Sequence, residues 1–180
     1  GEYQNNDLFN PVSGVYATKG GAAIGIAQTR LEAFDQHALD IRNGLNTDEQ
    51  RSKWDAYYGG QRQSYSSNLQ KYEFKEIDQY KSDQAKGFIT TASQSAVLNY
   101  QNPDQINRAL TQIDAVMSSE GLRNGMAPEL LDAQRLKVKS SIYADVLQRQ
   151  ATDDPFAAQK RLKEYQGSMS ADDLVRVGGM

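Results

Sequence analysis

The side chains that could perform chemistry in this sequence are few and far apart. His37 is the only histidine and no cysteine is present, so the chain has no thiol nucleophile, disulfide or zinc–thiolate site. A catalytic histidine works together with a nucleophile and an orienting acid. His37 stands between Gln36 and Ala38 and has no clear partner of that kind in the sequence. We therefore interpret it as a surface or flanking residue.

Two pairs of adjacent aspartates have the composition of an acid–base or metal-binding site. Asp153-Asp154 stands directly before a proline, and Asp172-Asp173 follows Ser170 by two positions. Carboxylates at the start of a helix accept backbone N–H hydrogen bonds and interact favourably with the helix dipole. The positions favour helix capping over catalysis. We predict no catalytic residue, no metal and no cofactor.

Two short basic clusters, 135–139 and 159–163, could contact phosphate groups. Acidic residues lie close to both clusters, which is typical of a solvated face of mixed charge. The chain as a whole carries a formal net charge of −3, so it has no general attraction for nucleic acid. The sequence therefore gives no strong nucleic-acid signal.

Aromatic residues are the best candidates for a binding surface. Trp54, Tyr57 and Tyr58 stand together before Gly59-Gly60, and more tyrosines follow at nearly helical spacing among Gln and Ser residues. Such a face suits a wet or partner-covered interface, although stacking on a base or sugar and ordinary packing are alternatives for the first cluster. The predicted interaction surface comprises Trp54, Tyr57, Tyr58, Tyr65, Tyr72 and Tyr80.

The elements that position these residues are predicted to be helices. Only 38% of the 180 residues are hydrophobic and the mean hydropathy is −0.72, values typical of amphipathic helices with one buried stripe. We predict an all-α fold of about five or six helices, forming an elongated antiparallel bundle with coiled-coil-like long helices. No apolar run is long enough for a transmembrane span and no signal peptide is visible. We expect the chain to be a piece of a longer protein.

Turn and capping residues divide the chain into four segments. We predict an irregular lead-in over 1–21, a long helical hairpin over 22–100, shorter helices packing as αα-hairpins over 101–177, and a tail over 178–180. Apolar residues from Ile24 to Ile41 follow a heptad spacing. A helix from Asp48 to about Asn99 would be on the order of 75 Å long. Gly59-Gly60 could break that helix.

Capping residues also predict where the helices begin. Thr47 with Gln50 has the form of a capping box, and Asn102-Pro103 and Asp154-Pro155 each place a cap before a proline. Pro128 and Ser170 mark two further starts. The predicted core comprises Ile24, Leu31, Phe34, Ile41, Trp54, Tyr65, Leu69, Ile106, Leu110, Ile113, Val138, Ile142 and Val146.

The order of these features resembles the helical segments of large virion proteins of tailed bacteriophages, of the internal, ejection or tail-associated kind. The resemblance runs over most of residues 8–177. It is carried by "DLFNPVSGVYATKGGAA", "NPDQINRALTQIDAVMSSEG" and "LKVKSSIYADVLQRQATDDPFAAQKRLKEYQGSMSADDLVRV". Proteins of this kind often carry a lytic transglycosylase domain elsewhere, but its catalytic motif is not recognisable here. The resemblance implies a non-enzymatic structural segment of the phage particle, oligomeric, associated with other virion proteins or with itself, and serving genome ejection or the tail.

Two other functions stay open from the residues alone. The first is a helical adaptor that binds a protein or peptide in a groove, for which a concave face lined by Tyr143, Tyr165 and nearby basic residues would be the sign. The second is an enzyme acting on peptidoglycan, which would need an acidic residue in a deep cleft.

Overall fold

The computed structural model describes residues 2–179, and that part of the chain is all-α and contains no β-strand. The predicted fold class is confirmed, with seven α-helices in place of five or six. Short 3-10 turns occupy Val15–Ala17, Gly20–Ala23 and Gln166–Ser168. The helices are α1 (Glu2–Phe9), α2 (Ile26–Asn43), α3 (Asp48–Leu98), α4 (Pro103–Arg123), α5 (Pro128–Asp153), α6 (Pro155–Tyr165) and α7 (Ala171–Val177).

The chain divides into two compact units, Gly1–Lys81 and Ser82–Met180. The boundary falls inside α3, which contributes residues to both units. The helices α2 and α3 lie within the segment 22–100 predicted as a long hairpin, and α4 to α7 lie within 101–177. The sequence offers no proline or loop composition at this boundary, so a division inside a continuous helix could not be predicted from composition.

The predicted helix starts are confirmed by their hydrogen bonds. At α3 the Gln50 backbone N–H donates to Thr47 Oγ1 at 3.2 Å, and Gln50 Oε1 accepts from the Thr47 N–H at 3.1 Å. These two bonds form the reciprocal capping box. The other three caps accept a backbone N–H in the same way: Asn102 from Gln105, Asp154 from Ala157, and Ser170 from Asp173.

Helix α3 runs without interruption through its glycines. A β-carbon added at Gly59, Gly60 or Gly87 would meet no atom within 4 Å outside the local helix backbone, so none of them is required by close packing. Each glycine costs the helix about 1 kcal/mol relative to alanine. Packing on both sides of the Gly59-Gly60 pair offsets this cost, since Trp54 and Tyr65 both contact the rest of the first unit.

The N-terminal segment differs from its prediction. Residues 2–9 form helix α1 in place of an irregular lead-in. Helix α2 begins at Ile26, four residues after the expected start, because 20–23 form a 3-10 turn and Gly25 has a φ of 80°. Ile24 therefore lies outside the helical stripe and is 59% exposed, and Ile41 is also exposed in the last turn. The prediction that both residues belong to the core was wrong.

The core of the first unit lies between α1, α2 and the first part of α3. Phe34, Tyr65 and Leu69 are buried there as predicted, while Leu31 is half-buried against them. Helices α2 and α3 run antiparallel in this unit, because residues late in α2 meet residues early in α3. The contacts that define this direction are Arg42 with Asp55 at 2.7 Å, Asp35 with Arg62 at 2.9 Å, and the Ala27 N–H with Glu73 at 2.8 Å.

The core of the second unit is built around α5. Between Ser140 and Leu147, six of eight residues of α5 are buried, other helices packing on more than one side. Ile106 and Ile113 of α4 are buried against it, while Leu110 and Val138 pack at its edge. These residues, together with Ile142 and Val146, confirm the predicted core of this half of the chain.

Candidate functional site

The six predicted surface aromatics have three different positions in the structure. Tyr65 is only 1% exposed, so of its two predicted places, core and interaction surface, it occupies the core, while Tyr72 is half-buried against that core. Tyr80 is partly exposed but packs over the turn at Gly21. The remaining three residues, Trp54, Tyr57 and Tyr58, line one cleft.

This aromatic cleft has a volume of about 280 Å³ and is formed by α1, α2 and α3 of the first unit. Its wall is mainly aromatic, with Ala38 and Ile41 as aliphatic members and Gln4 and Gln61 as amides. Glu2 is the only charged carboxylate in the lining, which contains no lysine or arginine. The six rings of the wall belong to Tyr3, Phe34, His37, Trp54, Tyr57 and Tyr58.

The Trp54 side chain, near the N-terminal end of α3, is fixed by one hydrogen bond. Its indole N–H donates to the Ala38 carbonyl oxygen at 3.1 Å, so the polar end of the ring is satisfied within the protein. The ring plane of Tyr57 lies 42° from that of Trp54, with centroids 5.8 Å apart. Tyr57 is 53% exposed. The pair therefore presents an open aromatic edge to the cleft.

Tyr58 is held by charged residues of α2 and α3. Its hydroxyl donates to Asp35, which also accepts two hydrogen bonds of 2.9 Å from the Arg62 guanidinium. Burial works against the charged form of Asp35, but the Arg62 and Tyr58 hydrogen bonds outweigh it and lower the pKa of this carboxyl. Burial and the Asp35 carboxylate raise the pKa of Tyr58, so the phenol stays protonated as a donor.

Helix α1 supplies the side of the cleft that sequence patterns did not indicate. Tyr3 stacks on His37 with centroids 4.6 Å apart and also contacts Phe34 at 5.7 Å. His37 is exposed, as predicted, yet it forms part of the cleft wall. The signal available in the sequence was the spacing of Tyr3 and Leu8, which is too short to establish a helical period.

Three hydrogen bonds hold α1 and the following turn in place. Asp7 of α1 accepts from Tyr65 and, at 2.7 Å, from Arg30 of α2. A second Arg30 nitrogen donates to the Ser13 carbonyl at 2.7 Å. Burial, followed by the bond to Asp7, raises the pKa of Tyr65 far above its ordinary value. These bonds position Tyr3 against the cleft.

Helix α3 also fixes the chain between α1 and α2. Glu73 accepts backbone N–H bonds of 2.8 Å from Gly25 and Ala27, which satisfies donors at the start of α2. Glu76 accepts the Gly20 N–H at 3.0 Å and pairs with Lys19 at 3.4 Å. The Gly20 hydrogen bond is the main reason that the pKa of Glu76 is lowered.

The residues considered for catalysis have structural partners in the second unit. Asp154 caps α6, Asp153 accepts from Tyr100 and Arg149, and Asp173 accepts from Ser140 at 2.5 Å. Within residues 2–179 no three His, Cys, Asp or Glu side chains come together as a metal site. None of the helices in that range combines the length and apolar character needed to cross a membrane.

The sign expected of an adaptor groove is not found. Tyr143 and Tyr165 stack face to face with centroids 3.9 Å apart, and Tyr143 is buried. Lys139 lies over the Tyr143 ring at 5.5 Å from its centroid. The two tyrosines pack in the second unit's core and do not line an open concave face.

Comparisons of this chain with protein-family models, with curated proteins and with solved structures find no match. The aromatic cleft is therefore interpreted from its own geometry.

Proposed function

We propose that this chain is a structural, protein-binding segment of a tailed-phage virion protein, and that the aromatic cleft is its contact site for another protein chain. The observation that carries the proposal is the cleft wall. It presents Trp54, Tyr57 and Tyr58 at an open surface, and tryptophan and tyrosine are enriched where protein interfaces concentrate their binding energy.

The phage assignment is supported by the resemblance over residues 8–177 and by the helical fold that the resemblance implies. The proposed role is in the tail or in genome ejection, and the proposed location is the particle itself. The occupant of the cleft is a neighbouring virion protein. A second copy of the chain is the alternative occupant that the experiment distinguishes.

The test uses purified phage particles from the source of the sequence. Peptide mass spectrometry is expected to find this chain in intact particles. Crosslinking in those particles is expected to join Lys53, which precedes Trp54 in α3 and has an exposed side chain paired with Glu49, to another virion protein. Crosslinks between two copies of Lys53 would identify self-association and contradict a different virion protein as occupant. Recovery of the chain only outside the particles would contradict the proposal.

A variant of the cleft tests whether the crosslink found in the particles depends on this site. Tyr57→Asp introduces a charge into the exposed part of the wall and is expected to remove the Lys53 crosslink while circular dichroism stays unchanged. Phe74→Asp is the matched control, since Phe74 lies on the same helix, is 74% exposed and is outside the cleft. Equal loss of the crosslink in both variants would contradict the assignment of the contact to the cleft.

A further inference from the structure

We propose that the aromatic cleft binds a basic side chain, arginine in preference to lysine, presented by the partner protein. This inference rests on the proposed function, because it names the chemistry of the group that the same cleft receives. Three features of the cleft carry it: its size, its aromatic wall and its charge.

The size of the cleft limits what enters it. At about 280 Å³ it falls just below the range of roughly 300–1,000 Å³ found for sites that hold drug-sized ligands. It therefore fits one long side chain better than an extended peptide or a large cofactor. The side chain enters beside Tyr57, which is 53% exposed.

The wall is suited to a cation. The face of an aromatic ring carries negative electrostatic potential, so a positive charge within about 6 Å of the ring centroid is attracted to it. Arginine is favoured over lysine because its planar guanidinium also stacks on rings and is less strongly hydrated. Trp54 gives the strongest interaction of this kind. Its N–H is already bonded to Ala38, so the indole offers a ligand in the cleft its π-system and not its hydrogen-bond donor.

The charged residues around the cleft also favour a basic ligand. The two arginines on the neighbouring faces are each neutralised by an aspartate: Arg42 by Asp55 at 2.7 and 3.1 Å, and Arg62 by Asp35 at 2.9 Å. Glu2 is the only carboxylate in the lining, and no ion pair to it is found within residues 2–179. Glu2 is exposed, and a basic side chain entering the cleft would lie near its carboxylate.

The protein carries its own reporter of this binding. Trp54 is the only tryptophan, so both the tryptophan fluorescence and the single indole N–H resonance report on the cleft. The probe is N-acetyl-arginine amide, titrated at constant ionic strength. N-acetyl-citrulline amide has nearly the same shape without the charge, and N-acetyl-norleucine amide is purely apolar.

We expect the arginine probe to shift the indole resonance saturably, with an apparent dissociation constant about fivefold lower than that of the citrulline probe. N-acetyl-lysine amide, titrated in the same way, is expected to have a dissociation constant between those two, and tighter binding of the lysine probe than of the arginine probe would overturn the preference for arginine. Equal or tighter binding of citrulline or norleucine would overturn the inference. It would leave the proposed protein-binding function standing if the Lys53 crosslink is still lost in Tyr57→Asp.

Two variants measure separately how much an aromatic ring and a carboxylate contribute to arginine binding. Tyr57→Leu keeps an apolar side chain but removes one ring, and it is expected to weaken arginine binding about threefold, whereas Phe74→Leu leaves it unchanged. Glu2→Gln is expected to weaken arginine binding about twofold without affecting norleucine. Glu32→Gln, on the exposed part of α2 outside the lining, is its control. Circular dichroism and a cooperative urea unfolding transition show whether each variant is folded.

Failure of the two proposals gives different results. If no probe moves the indole resonance while the particle crosslinks depend on Tyr57, the basic-side-chain inference is wrong and the cleft still binds protein. If the chain is absent from particles while arginine binding depends on Tyr57 and Glu2, the virion assignment is wrong and the specificity of the cleft is retained.

Discussion

The two units of this protein fill their interiors with different chemistry. In the first unit one buried tyrosine, Tyr65, and four partly buried ones surround the core, and several of their hydroxyl groups are bonded to carboxylates or backbone carbonyls, as Tyr65 is to Asp7 and Tyr72 is to the Thr18 carbonyl at 2.8 Å. The core of the second unit is larger and mainly aliphatic, with Ile106, Val146 and Leu147 fully buried, although it also buries Tyr100, whose hydroxyl donates to Asp153, and Tyr143.

The difference between the two cores indicates in which unit an open aromatic site can form. A buried tyrosine needs a polar partner for its hydroxyl, so the first unit combines packing with specific hydrogen bonds. Branched aliphatic side chains fill space without that requirement and pack closely around α5. The ring-lined cleft lies in the unit whose packing already depends on rings and polar partners.

The largest expected effect tests the aliphatic side of this comparison. Leu147 is fully buried in the second unit, and Leu147→Ala is expected to lower the free energy of unfolding by about 3 kcal/mol, because both burial and packing contacts are lost. Urea denaturation followed by circular dichroism measures the change. Leu136→Ala on the same helix is the control, since Leu136 is 48% exposed.

An equal loss of stability in the two leucine variants would contradict the assignment of the core to the C-terminal half of α5. A second readout checks that the effect belongs to this unit. The emission of Trp54 in the absence of urea is expected to be unchanged in Leu147→Ala, because the indole is held by Ala38 in the first unit.

The second expected effect tests the polar side of the comparison. Tyr65→Phe keeps the ring that packs on Phe34 but removes the hydroxyl that donates to Asp7. The expected loss is about 1.5 kcal/mol, the range for a hydrogen bond to a charged group. Urea denaturation followed by Trp54 fluorescence measures it. Tyr57→Phe is the matched control, and a loss as large in that variant would contradict the role given to the Asp7 bond.

Much of the fold follows from local chemistry in the sequence. The capping box at Thr47 and the Asn102 and Asp154 caps fix helix starts through hydrogen bonds between neighbouring residues, so short-range patterns predict them. Helix α1 was missed because its stability depends on distant partners of Asp7, which are Arg30 and Tyr65. Short helices gain little stability from local propensity alone.

The sequence predicted only the side of the candidate site whose residues are neighbours along the chain. Trp54, Tyr57 and Tyr58 are adjacent in sequence and were identified as an aromatic cluster. Tyr3 and His37 join them only after α1 packs against α2. Tyr65 shares the helical face of Tyr58 and was placed on the surface with it, because helical spacing identifies residues that share a face without showing how deeply each one is buried.

The smallest expected effect concerns the carboxylate that fixes the turn before α2. Glu76 accepts from the Gly20 N–H and faces the Lys19 ammonium and the Tyr72 hydroxyl, and its pKa is lowered in the folded protein. A lowered folded-state pKa means that ionised Glu76 stabilises the fold. This contribution is present above the unfolded-state pKa of about 4.3 and is lost as the pH falls through the lower folded-state value.

Glu76→Gln removes the charge that produces this dependence. We expect the variant to be less stable than the natural sequence at pH 7, and the gap to narrow as the pH is lowered from about 5 to about 3, because protonation removes the same charge from the natural protein. Urea denaturation followed by Trp54 fluorescence at several pH values measures the gap. Glu32→Gln is the control, since Glu32 is exposed and accepts a hydrogen bond from the neighbouring Gln28 amide of its own helix, at 2.9 Å. A gap that stays constant with pH would mean that the Gly20 turn is held by the shape of the side chain at position 76, and the role given to carboxylates in fixing the N-terminal segment of the first unit would then lose one of its supports.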